Sequence, residues 1–331
     1  MRRRDFLTQF VGAATWTSWP LAASAQQPER LRRIGTLTTN RSPGQERLDE
    51  FKRGLAERGW LQNRNMVFEE RRVEIDPEGL RASAAGLAAA TELAALQPDL
   101  IFVSNSTSLR AMRRAAGVIP IVFASVADPV NQGFVATLEE PGGNVTGFAA
   151  NESSLATKHL ELLKKILPDL THAVFMYDPQ QPTAVDTFDE VERTAALLGV
   201  QVKKTPVVNG SDVEVAIDSM AQMQRAGLVV GGGPSTTFHR ELIVTMAMRR
   251  RMPVVHQFRY FGALASYGAD DFDLCRRSAI YAHRILKGEK PIDLPVQLPA
   301  RLMLVLNLKT AKAMDLVLSP EVLALADEVL G

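Results

Sequence analysis

Only one cysteine, Cys275, occurs in 331 residues. No intramolecular disulfide can form, so stability has to come from burial, as expected of a chain this size. The five histidines (His159, His172, His239, His256 and His283) are scattered, none four residues from another. That leaves no helical zinc motif, and Cys275 offers no thiolate partner. No net charge of either sign builds up: 38 Lys and Arg face 37 Asp and Glu, a formal net charge of +1. Such a balance carries no footprint of nucleic acid or of an anionic membrane as partner. Also missing are a G-x-S-x-G elbow, a G-x-x-x-x-G-K-[ST] loop and a G-x-G-x-x-G turn after the first strand. The nucleophile turn of a serine hydrolase and the usual nucleotide cradles are therefore not signalled. No catalytic residue, metal or cofactor is nominated.

What is present begins with "MRRRDFLTQFVGAATWTSWPLAASAQQ". A basic start, a modestly apolar middle and the small residues Ala23-Ser24-Ala25 are the layout of an export signal, expected over residues 1–25 with cleavage after Ala25. Arg3-Arg4-Asp5-Phe6-Leu7 resembles the twin-arginine address of bacteria. Thr8, Gln9, Thr15, Thr17, Ser18 and Pro20 interrupt the apolar middle, well short of the roughly 20 apolar residues that a membrane span needs. The expected location is the periplasm. The remainder, with 46% hydrophobic and 23% charged residues overall, is rich enough to build a sizeable core.

Beyond the signal, short apolar runs alternate with amphipathic helical patterns. "RRIGTLTT", "NMVFEERRVE", "DLIFVSN" and "PIVFASV" read as strands, with helices between them. Strands this apolar, separated by helices, predict an α/β fold with parallel sheets covered on both faces. The pattern then starts again about 130–140 residues later, as a duplicated unit would. Leu100-Ile101-Phe102-Val103 answers Leu228-Val229-Val230, "RRAAGVIPIVF" answers "RRRMPVVHQF", and Gly59 and Gly199 both close helices before an extended run. Two similar Rossmann-like lobes follow.

In open parallel sheets, ligands sit outside the carboxyl ends of the strands. The polar residues that terminate the apolar runs are therefore the candidate binding residues. In the first half these are Thr39, Asn40, Asn105, Ser106, Thr107, Ser125 and Asp128; in the second, Tyr177, Asp178, Gly233, Pro234, Ser235, Gln257 and Tyr267. Asn105-Ser106-Thr107-Ser108 opens a helix, where hydroxyls cap free backbone N–H groups that also suit an anion. Asp128 can pair a ligand ammonium or order the turn before Pro129. The glycines of "GGGPST" let backbone approach a ligand closely, or simply form a turn.

Several of these segments carry a resemblance. "IPIVFASVADPVNQGFVATLEEPGGNVTGF", "LELLKKILPDL", "ASYGAD" and "AHRILKGEKPIDLPVQLPARLMLVLNLKTAKAMDL" are similar to the tryptophan/tyrosine-type substrate-binding proteins of ABC transporters, and the likeness runs from about Arg33 to Leu330. It implies a type I periplasmic-binding-protein fold, with an N-terminal lobe of residues 31–149 and 269–300 and a C-terminal lobe of 150–268 and 301–331. Hinge crossings are expected near Gly147–Ser153, Tyr267–Asp270 and Pro299–Asn307. The implied activity is capture of a small organic solute, an aromatic amino acid or small carboxylate, for an inner-membrane permease and its ATPase. Family members commonly carry A-G-T-P where this chain has "SNSTS", and an acidic residue where it has Gly233 before Pro234. The latter departure favours carboxylates that need no ammonium partner. Two alternatives stay open: an exported α/β enzyme acting in the same cleft, and a solute sensor for a membrane kinase. A repressor of the same fold would need a DNA-binding headpiece where this chain has an export signal.

Overall fold

Short stretches of three to eight residues, most of them apolar, form the strands, and stretches with one apolar stripe form the main helices that cover them. The computed structural model of the protein describes residues 30–39, 43–74, 80–150, 155–180, 187–220, 223 and 225–331. The expected export segment, residues 1–25, and Asn40 lie outside the described residues.

The first sheet contains β1 (Arg32–Thr39), β2 (Met66–Val73), β3 (Leu100–Val103), β4 (Ile121–Val126) and β5 (Val145–Ala149). They pair in the order β2-β1-β3-β4-β5, every neighbour parallel. Both β3 and β4 are buried along their whole length, because each face of the sheet is covered. On one face, Ile34, Phe102, Val122 and Phe148 pack against Leu48, Phe51 and Leu55 of α1 (Gly44–Ala56). Leu274, Ala279 and Ala282 of α9 (Asp271–Leu286) join that layer. On the other face, Ile101, Val103, Ile121 and Phe123 meet α2 (Leu80–Ala95) and α3 (Ser106–Ala115) through Leu93, Leu109 and Met112.

The second sheet contains β6 (His172–Tyr177), β7 (Gln201–Pro206), β8 (Ala226–Val230), β9 (Val254–His256), β10 (Ala265–Ala269), β11 (Leu302–Asn307) and β12 (Glu328–Leu330). Its order is β7-β6-β8-β9-β10-β11-β12. Around it lie α4 (Leu155–Ile166), α5 (Phe188–Leu198), α6 (Gly210–Asp218), α7 (Pro234–Phe238), α8 (Arg240–Arg249), α10 (Leu308–Ala313) and α11 (Pro320–Ala324). Its first five strands repeat the arrangement of the first sheet, second-first-third-fourth-fifth. The internal repeat read from the sequence is thus a repeat of topology. Gly59 and Gly199 both take left-handed backbone, φ 82° and 66°, as the helices before them end.

One expectation needs refinement. The second sheet is not parallel throughout, since β11 runs antiparallel to β10. The reason lies in the path of the chain. It leaves the second sheet after Ala269, builds α9 against α1, β4 and β5 of the first layer, and returns to begin β11 at Leu302. A strand that re-enters at the end where its neighbour left must run the opposite way. Together with the passage from β5 to α4, the chain moves between the two layers three times. Two of the passages lie together: Gln297 N–H donates to Gly147 O at 2.9 Å, and Ala149 N–H to Gln297 O at 2.8 Å.

The seat of α1 on α9 depends on Gly54. A Cβ there would stand 2.3 Å from the Arg276 carbonyl oxygen and 2.8 Å from the Ala279 Cβ, so the two helices could not keep their separation. Gly54→Ala is expected to cost about 1–3 kcal/mol, the range for overfilling a packed interior. A lowered urea midpoint with unchanged slope would show it; an unchanged midpoint would mean that the helices part freely.

Candidate functional site

The carboxyl ends of β3 and β4 carry the polar groups of the first lobe. Asn105, in extended backbone after β3, accepts the Ser108 N–H on its Oδ1 at 2.8 Å and so caps α3. Ser106 Oγ accepts Gln132 Nε2 at 3.3 Å, and the same amide donates to the Ala127 carbonyl at 2.5 Å. Gln132 thereby ties the start of α3 to the segment after β4. Thr107 sits half-buried in the first turn of α3, and Thr39 at the end of β1 lies against Gly44 at the start of α1.

Backbone strain marks the segment that follows β4. Ser125 and Asp128 hold φ of 54° and 40°, a region that costs a side-chain-bearing residue about 1 kcal/mol or more and gathers at functional places. Ser125 sits at a bulge where the register of β4 on β5 shifts, and its hydroxyl donates to the Asp271 carbonyl at 3.4 Å. Asp128 spends its carboxylate locally, accepting Asn131 N–H at 3.2 Å and Asn131 Nδ2 at 2.7 Å.

In the second lobe, Asp178 is 2% exposed. Its two oxygens accept the Gln180 N–H and the Ser235 N–H, each at 2.9 Å. Ser235 Oγ donates to Val207 O at 2.6 Å, and Pro234 occupies the first turn of α7. The glycines here let the backbone come close to neighbouring side chains. A Cβ on Gly232 would lie 2.2 Å from Gln257 Nε2, and one on Gly233 only 2.4 Å from the Asp178 Cβ. Asp178, Gly233, Pro234, Ser235 and Gln257 are thus brought to one place. The two tyrosines are not. Tyr177 stacks at 6.1 Å on Phe175, with Lys204 5.5 Å from its ring centre. Tyr267 meets His159 of α4 edge-on at 6.5 Å, while its carbonyl accepts His159 Nε2 at 2.6 Å. Both rings pack into the layer of helices.

Sequence reasoning missed the charged centre. Arg47, 7% exposed in α1, pairs with Asp271 at the start of α9 at 2.6 Å. Its Nη1 donates to the Ser104 carbonyl at 3.1 Å and its Nη2 approaches the Tyr260 hydroxyl at 3.4 Å. The guanidinium also faces Phe258 and Tyr260, 5.5 and 5.4 Å from their ring centres. Burial works against the Arg47 charge, but the Asp271 carboxylate holds its pKa above the ordinary value. Burial pushes the Tyr260 phenol up to about 12, so it stays neutral, and raises the Cys275 thiol as well. A signal was available: positions 47, 51, 54 and 55 are one helical stripe, and Phe51, Gly54 and Leu55 are buried with Arg47. An arginine on such a stripe needs a buried partner.

Ser104 Oγ and His256 Nε2 are among the buried polar atoms of the described residues that make no hydrogen bond. His256 ends β9 with its Nδ1 accepting the Phe258 N–H at 2.9 Å, which leaves the ring proton on Nε2. Burial holds the imidazole well below its ordinary pKa, hence neutral. It stacks on Phe261 at 3.9 Å. Burial likewise lowers His159 to about 4. No group of three or more His, Cys, Asp or Glu among the described residues could hold a metal ion.

The profile of the ABC transporter substrate binding protein family matches residues 45–330. The chain belongs to this family. A tyrosine-binding protein of Clostridioides difficile is 25% identical over 282 residues, covering 81% of this chain and 77% of that protein. Among solved structures, a conserved domain protein from Vibrio cholerae superposes with a TM-score of 0.79 at 25% identity, over 90% of this chain and 99% of the other. A domain from Streptococcus pneumonia in complex with L-Trp also gives 0.79, at 21% identity over 91% and 100%. The two-sheet architecture is thus that of the two-lobed periplasmic binding proteins. In this substrate-binding protein, the buried ion pair is the strongest local constraint. Asp271→Asn strands the Arg47 charge and is expected to cost about 3–5 kcal/mol in urea unfolding, whereas the double change Arg47→Met, Asp271→Leu recovers most of that loss. Equal losses in the single and double variants would contradict this.

Proposed function

We propose that this substrate-binding protein works in the periplasm, closing its two lobes on a small aromatic carboxylate and presenting it to an ABC importer. The observation that carries the ligand class is the state of the two acidic residues at the strand ends. Asp128 and Asp178 each already accept two hydrogen bonds from their own lobe, so neither is poised as the counter-ion of an amino-acid ammonium. The hydroxyls and the first turn of α3 at Asn105, Ser106 and Thr107 suit a carboxylate. The cleft-side strand ends, with Thr39, Ser125, Gly233, Pro234, Ser235 and Gln257, supply neutral contacts. Ser104 Oγ and His256 Nε2 give further support, because buried unpaired groups are costly and a ligand can complete them. The relatives named for tyrosine and bound to L-Trp support an aromatic body for the solute. Closure would follow hinge motion at the three passages between the layers. Capture then depends on grip, with no bond made or broken.

A thermal-shift screen tests this reading. Benzoate, 4-hydroxybenzoate and 4-hydroxyphenylacetate are compared with L-tyrosine and L-tryptophan. A compound at 100 times its Kd stabilises the folded state by about 2.7 kcal/mol, a shift of several degrees. The acids are expected to raise Tm more than the amino acids. If the amino acids give the larger shift, the ligand class is wrong; if none of the five compounds does, the aromatic reading fails.

A further inference from the structure

We infer that Arg47, Phe258 and Tyr260 form a clasp between the two lobes that holds this protein closed without solute and thereby sets its affinity. The inference rests on the hinge-closing reading above, but its own ground is the geometry around Arg47.

The cation is anchored from one side. Helix α1 is seated on α9 through Gly54, the Arg47 Nε is bound to Asp271 at 2.6 Å, and Nη1 to the Ser104 carbonyl at 3.1 Å. Every one of these partners belongs to the first layer. The edge of the guanidinium is thus largely spent there, and what remains is its face and Nη2. Both point to the second layer, to the rings of Phe258 and Tyr260 at 5.5 and 5.4 Å and to the Tyr260 hydroxyl at 3.4 Å.

The receiving side is equally prepared. Phe258 and Tyr260 stack on each other, 5.2 Å apart and 15° from parallel. The segment that carries them is a single helical turn, Arg259–Phe261, bounded by Phe258 and by Gly262 in left-handed backbone. Phe258 N–H is held by His256 Nδ1, its carbonyl accepts Phe261 N–H at 3.1 Å, and Phe261 is buried in the core under β9. A second cation, Arg240, lies 5.9 Å from the Tyr260 ring. Neither side has to be ordered when they meet, so little entropy is lost in closing. A desolvated arginine over an aromatic face is the stronger form of this attraction. Opening returns Arg47 and its carboxylate to water, so the clasp is reversible.

A protein whose competent state is partly populated binds with an affinity reduced by that fraction. Weakening the clasp therefore has to lower the apparent affinity for any solute gripped by both lobes, with no change in the groups that touch it.

The test needs no ligand. The chain is unfolded and refolded to strip carried-over solute, and small-angle X-ray scattering is recorded for the parent and for Phe258→Ala, Tyr260→Ala. The parent is expected to give the scattering curve calculated from the closed arrangement described here. The double variant should give a larger radius of gyration and maximum dimension, with circular dichroism unchanged. A second pair, Phe258→Leu, Tyr260→Leu, keeps apolar volume over Phe261 and removes only the ring faces. It should expand in the same way, and it decides the matter if the alanine pair does not fold. Superposable curves for parent and folded variants would overturn the clasp, as would a parent already open. Where one of the five screened compounds shifts the parent's Tm, its Kd should rise roughly three- to tenfold in the leucine pair; an unchanged Kd counts against the clasp. Failure of the solute screen, by contrast, leaves the scattering result standing.

Discussion

The buried ion pair between Arg47 and Asp271 is the interaction on which the arrangement of this protein turns. It joins a helix near the start of the chain to one that begins after residue 270, across 224 positions of sequence. It also reaches the carbonyl that ends β3, so the first lobe's strand ends and its two covering helices share one charged centre. Burying such a pair is costly unless the remaining donors are used. Here they are, by a backbone carbonyl, by a phenol and by two aromatic faces. The two charges of the pair offset each other, so the centre is ionic but carries no net charge.

Around that centre, the two layers carry the same five-strand order but different chemistry at their edges. The first offers hydroxyls and a capped helix, with strained backbone at Ser125 and Asp128 placing the segment after β4. The second offers a glycine run pressed against Asp178 and Gln257. Its acid organises the loop, holding the N–H groups of Gln180 and Ser235. The glycines are what allow it to sit so close. A carboxylate in this position reads from sequence as a ligand contact, yet it is bound on both oxygens by its own chain.

Family membership and fold agree with this picture of paired layers, and no helix among the described residues is long and apolar enough to cross a membrane. The second layer extends its sheet with β11 and β12, and the antiparallel β11 is the price of a chain that leaves and returns at one end. The same excursion lays α9 on α1 before the chain returns. Without it, Asp271 would not meet Arg47, so the odd strand and the buried pair have one cause.

Much of the fold was legible in the sequence because strand and helix periods are local: four to eight apolar residues with polar ends, or a stripe repeating every three to four. "LIFV", "IVFASV" and "LVV" announced buried parallel strands, and the polar residues after them marked the strand ends. The short β12 and the break between α7 and α8 were not announced, since three- and five-residue elements carry too little pattern to be read. Which side chains point where depended on contacts distant in sequence. Tyr177 and Tyr267 look like binding residues, yet Phe175 and Lys204 take the ring of the first and His159 of α4 that of the second. Arg47 lies on the buried stripe of its helix, but what it meets there could not be read from the stripe, because its partners come from residues 104, 258, 260 and 271. Sequence alone settled the class of architecture; the meeting of distant groups at the strand ends was decided by tertiary packing, since electrostatic and aromatic contacts follow proximity in space, whatever their separation along the chain.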